Sequence, residues 1–82
     1  MDIIQRADLA KQVLENAVFL EAFATLRAAY IDKMVSCGPM DTESLAQRHM
    51  AILCLNDVET TLKAYVESGK VEIFNTIKRE RI

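Results

Sequence analysis

Few side chains in this sequence are of types that could take part in catalysis or bind a metal. His49 is the one histidine, and Cys37 and Cys54 are the two cysteines. A nucleophile needs its base within hydrogen-bond reach, and Cys54 lies five positions from His49, which is more than one helical turn. No CxxC pair is present. We therefore predict no catalytic residues and no metal site, and we interpret both cysteines as buried thiols in a reducing cytoplasm.

Phosphate-binding and cofactor motifs are also missing from the sequence. It contains no Gly-rich loop and no nucleophile elbow, so we expect no cofactor and no small-molecule substrate. The candidate nucleic-acid contact is a basic group near the C-terminus, because residues 70–82 hold four bases and two acids. The group consists of Lys78, Arg79 and Arg81. The rest of the chain is acidic, and phosphate binding needs clustered Lys and Arg. Nucleic acid is therefore not the favoured partner.

The composition limits the class of protein. The chain has 82 residues, of which 51% are hydrophobic, and it has two Gly, one Pro and a net charge of -2. So few turn residues argue against sandwiches and barrels, and the apolar content argues against disorder. We expect one domain, residues 1–82, of the all-α class. The longest apolar run, residues 51–55, is too short for a membrane span, and Asp2 and Asp8 stand where a signal peptide would be basic. The expected location is the cytoplasm.

The turn residues and helix caps divide the chain into helices. Gly38-Pro39 separates two segments, and Gly69 fits the residue that follows a helix end. Asp2, Asn16 and Asp41 are suited to capping helix N-termini. The predicted helices are about 2–15, 17–36, 41–68 and a short 71–78. Residues 17–68 then form an antiparallel helical hairpin, with an additional N-terminal helix packed across it and a short C-terminal helix or tail.

The apolar residues at helical spacing predict which faces pack together. One stripe on each of the first three helices is assigned to the interior. These stripes are Ile3, Ala7, Ala10 and Leu14; Phe19, Phe23, Leu26, Tyr30 and Met34; and Leu45, Ile52, Leu55, Val58, Leu62, Tyr65 and Val66. Met40 and Leu45 are expected to form a hydrophobic staple, and Glu59 and Lys63 an ion pair.

Other apolar residues lie outside these stripes, and we interpret them as a protein interface. A hairpin this short has more apolar face than interior, so the surplus is expected to meet a second copy or a partner. The alternative is that the first helix and the tail cover it. The predicted interface residues are Val18, Leu20, Ile31, Val35, Leu53, Ile73, Phe74 and Ile77. For the tail, the alternatives are docking on a protein, a solvated terminus and contact with nucleic acid.

Several runs resemble small helical proteins of tailed-bacteriophage packaging and structural gene clusters. The runs are Arg6-Ala7-Asp8-Leu9-Ala10, Val13-Leu14-Glu15-Asn16, Phe19-Leu20-Glu21-Ala22-Phe23, Leu26, Tyr30-Ile31, Leu62 and Glu67-Ser68-Gly69-Lys70. The resemblance covers most of residues 6–70. It implies a genomic neighbourhood and transfers no catalytic residue.

These observations lead to one expected function and two alternatives. We expect a non-enzymatic, homo-oligomeric interaction module of phage assembly or DNA packaging. Its partners would be itself and another phage structural or packaging protein, in the bacterial host cytoplasm or the virion. The first alternative is a DNA-binding packaging-recognition protein that resembles a small terminase subunit. The second is a phage regulator that inhibits a host protein.

Overall fold

The computed structural model describes residues 1–80, which form three α-helices. They are α1 (Ile3–Glu15), α2 (Ala17–Ser36) and α3 (Thr42–Glu80). The protein is all-α, as predicted, and α2 and α3 form a hairpin joined by residues 37–41. The molecule measures 65 × 24 × 17 Å, so its cross-section holds only two helices side by side. The helices α1 and α2 therefore lie one after the other along α3, and α1 does not cross the hairpin.

The predicted caps begin all three helices. Asp2 accepts a hydrogen bond from the Gln5 amide at 2.7 Å, and Asp41 accepts one from the Ser44 amide at 3.2 Å. Asn16 has an extended backbone, with φ -74° and ψ 119°, and its side chain accepts from the Phe19 amide at 2.9 Å. This residue ends α1 and starts α2, which confirms the prediction of two helices in the first segment.

The predicted helix end at Gly69 is wrong. The helix α3 runs through Gly69 to Glu80, so there is no separate helix over residues 71–78. Gly69 has no positive φ, and it is buried against Ala7 of α1. A Cβ built at this position would overlap the Cβ of Ala7. The residue is therefore a contact point between two helices, and its missing side chain permits the short distance.

The interior is a thin seam between α3 and the other two helices. Only Ala7, Ala10 and Gly69 are buried in the described residues, and no large side chain there is fully buried. Most predicted stripe residues do face the seam but are only half-buried, namely Leu14, Phe19, Phe23, Tyr30, Met34, Ile52, Leu55, Leu62, Tyr65 and Val66. Four others assigned to the interior are exposed, namely Ile3, Leu26, Leu45 and Val58. Met40 is 90% exposed and leaves the predicted staple unformed.

Charged side chains also cross the seam. Arg27 on α2 forms an ion pair with Glu59 on α3 at 2.7 Å, and its Nε donates to Asn56 Oδ1 at 3.2 Å. The predicted pair of Glu59 with Lys63 is therefore replaced by a contact between helices. Further along, the Arg6 guanidinium lies 4.1 Å from the centre of the Tyr65 ring. These contacts fix how α1 and α2 align along α3.

Candidate interaction surface

Three of the predicted interface residues lie on one exposed face of α2. Successive helical residues are about 100° apart, so Leu20, Ile31 and Val35 fall within an arc of about 60°. They are 47%, 50% and 80% exposed. Three exposed alanines that the sequence reasoning missed widen this arc to about 80°, and their three- and four-residue spacing continues the pattern. We call the α2 stripe the set Ala17, Leu20, Ala24, Ala28, Ile31 and Val35.

Two other predicted interface residues do not belong to this face. Val18 is 73% exposed, but it lies about 160° around α2 from Leu20. Leu53 is exposed on α3, about 160° around that helix from Leu55, which faces the seam. The helical rotation therefore places Val18 on a different face of α2 from Leu20 and Ile31, and Leu53 lies on another helix.

The apolar residues predicted for the tail lie near the end of α3. Ile73, Phe74 and Ile77 are all exposed and fall within an arc of about 100°. Ile73 also lines an open groove between the start of α1 and the last part of α3, together with Ile3 and Val66. These residues form a second apolar area, at the opposite end of the long axis from the loop at residues 37–41.

The basic residues predicted to contact nucleic acid differ in their surroundings. Lys78 is exposed. Arg79 forms an ion pair with Glu72 at 3.2 Å, which neutralises part of the basic charge. Arg81 lies outside the described residues. Two basic side chains, one of them already paired with an acid, give a weak site for phosphate.

The side chains considered for chemistry are dispersed. Cys37 is half-buried, and its thiol donates to the Lys33 carbonyl at 3.1 Å. Cys54 is exposed, so the prediction of two buried thiols is wrong. His49 lies about 140° around α3 from Cys54. Within residues 1–80, no group of three or more His, Cys, Asp and Glu side chains could hold a metal ion, and no helix has the length and apolar content to cross a membrane.

Comparison with known proteins adds no relative to this description. No protein-family model matches the sequence, and neither the curated proteins nor the solved structures give a significant match.

Proposed function

We propose that this protein is a non-enzymatic helical interaction module that works by self-association. The observation that carries this proposal is the area of its surface. The chain exposes 6328 Å², whereas a folded monomer of its mass, 9.3 kDa, is expected to expose about 5,000 Å². Nineteen large apolar side chains among residues 1–80 are exposed. Where such side chains form a contiguous patch, the patch commonly marks a binding surface.

The resemblance of residues 6–70 to phage proteins supports a finer proposal. The module would be a homo-oligomeric component of phage assembly or DNA packaging, with another phage structural or packaging protein as its second partner. It would act in the bacterial host cytoplasm or within the virion. A gene neighbourhood of capsid and packaging genes would favour this role over that of a regulator of a host protein.

The DNA-binding alternative has less support than the interaction module. The charge of Arg79 is paired with Glu72, and the net charge of the chain is -2. Binding of a DNA duplex at low salt that disappears in a Lys78→Ala, Arg79→Ala variant would favour the alternative. We expect no binding in that assay.

The direct test of self-association is the mass in solution. Light scattering or sedimentation equilibrium at tens of micromolar should give a multiple of 9.3 kDa. Dilution should shift the distribution towards the monomer if subunits exchange reversibly. A stable, strictly monomeric chain over this range would contradict the proposal.

A further inference from the structure

We propose that the α2 stripe is the seam of self-association, and that its occupant is the same stripe on a second copy of this chain. This inference rests on the proposed function and names the surface that carries it. Each α2 would then lie between its own α3 and the α2 of the other copy.

The helix α2 is rich in apolar residues. Fourteen of its 20 residues are apolar, and they are distributed around the helix. A helix that is apolar all round is normally buried. One face of α2 meets α3 through Phe23, Tyr30 and Met34. The α2 stripe is centred about 100° around the helix from that face, and its residues are exposed.

The chemistry of the stripe suits contact with itself. It consists only of Ala, Leu, Ile and Val, so two copies would bring no like charges together at its centre. Ala24 and Ala28 occupy the middle, and small residues there allow two helix axes to approach closely. The bulkier Leu20, Ile31 and Val35 flank them. Arg27 lies at one edge and is held by Glu59 and Asn56 of its own chain, whereas the exposed Glu21 and Asp32 lie at the other edge.

The exposed area of the chain can be compared with the area that a dimer interface buries. The stripe extends about 27 Å along the helix, from Ala17 to Val35. A stable interface removes about 800 Å² from each partner. Each chain exposes roughly 1,300 Å² more than the about 5,000 Å² expected for its mass, given its measured 6328 Å². The excess belongs to the whole chain, and one interface of that size would remove about 800 Å² of it.

The thin interior favours a second copy over a different protein. No large side chain of the described residues is fully buried within the single chain. The apolar area that a chain buries is the main source of its stability. A second copy is present whenever the chain is made, and contact with it would increase the apolar area that each chain buries.

A matched pair of substitutions tests the seam. Ala24→Glu adds a charge at the centre of the stripe, whereas Ala22→Glu adds the same charge about 160° away on the same helix. Both alanines are exposed in the single chain. Light scattering should show that Ala24→Glu shifts the dissociation constant upward by at least tenfold, and that Ala22→Glu leaves it within about twofold. An equal effect of the two changes would overturn the seam.

Cross-linking gives a second readout that does not disturb the fold. In a background of Cys37→Ser and Cys54→Ser, Ala24→Cys with Ala28→Cys should form a covalent dimer on oxidation, whichever way the helices run. The control pair, Ala22→Cys with Ala29→Cys, lies on the opposite flank and should stay uncross-linked. An oligomer that cross-links only through the control pair would overturn this seam and leave the proposed function standing. A monomeric chain would overturn both.

Discussion

Gly69 of α3 packs against Ala7 of α1, so adding one carbon at this position tests how tightly the two helices pack. Gly69→Ala adds a Cβ that overlaps the Cβ of Ala7. Ala favours a helix over Gly by about 1 kcal/mol, but overpacking costs about 1–3 kcal/mol, and we expect a net loss of stability in urea unfolding. Gly38→Ala is the control, because its Cβ meets nothing within 4 Å. Equal stability of the two variants would contradict the close approach.

Arg27 is the residue whose charge matters most to the seam. Its side chain and that of Glu59 are only 29% and 20% exposed, so Arg27→Met leaves a half-buried carboxylate without its partner. We expect a loss of about 1–2 kcal/mol in urea unfolding. Lys70→Met breaks an ion pair with Glu67 whose side chains are 67% and 69% exposed, and it should cost less than about 0.5 kcal/mol.

A double variant distinguishes a lost ion pair from lost packing. Arg27→Met combined with Glu59→Leu removes both charges, so no carboxylate stays unpaired in the seam. Most of the stability lost by Arg27→Met should return. If the double variant were less stable than Arg27→Met alone, the cost would lie in packing and not in the unpaired charge.

At the scale of the elements, Asn16 determines where α1 stops and α2 starts. Asn16→Ala removes the acceptor for the Phe19 amide and should lower the free energy of unfolding by about 1 kcal/mol. Asn16→Ser keeps a capping oxygen and should retain most of the stability. Urea unfolding followed by circular dichroism measures both changes. Equal losses in the two variants would mean that the cap does not stabilise the break.

The helices show which features local sequence can predict. Caps are local, because Asp2, Asn16 and Asp41 each bond to an amide three residues ahead, and these were predicted. The role of Gly69 depends on Ala7, which is 62 positions away in sequence, so the helix end expected there was wrong. The pairing of Glu59 with a residue of α2 is equally non-local.

The exposure of the predicted interface residues and their grouping on the helices depend on different information. Exposure of the off-stripe apolar residues followed from composition, and all eight are exposed. Their grouping required the rotation of each helix about its seam, which separates Val18 from Ile31 and leaves Leu53 on another helix. The three alanines of the α2 stripe were missed because alanine is only weakly hydrophobic and adds little to a hydrophobic pattern.

At the scale of the whole molecule, the chain is elongated and not compact. The radius of gyration is 18.3 Å, whereas a compact chain of 82 residues has about 12 Å. With α1 and α2 in one layer and α3 in the other, the outer face of each layer is exposed. In the proposed self-association, a second copy would cover part of these faces and add to the stability of the fold.

The proposed self-association predicts a melting temperature that depends on protein concentration. For a dimer that unfolds to separate chains, a hundredfold increase in concentration adds about 2.7 kcal/mol of stability. At 2–4 °C per kcal/mol for the combined length of two chains, Tm should rise by about 5–10 °C. In Ala24→Glu, we expect a lower Tm than that of the native chain at the same concentration, whereas Ala22→Glu should follow the native chain. A native Tm that is constant over the same range would mean that the single chain is stable by itself. The contacts between α3 and its two neighbouring helices would then supply all of the stability of the fold.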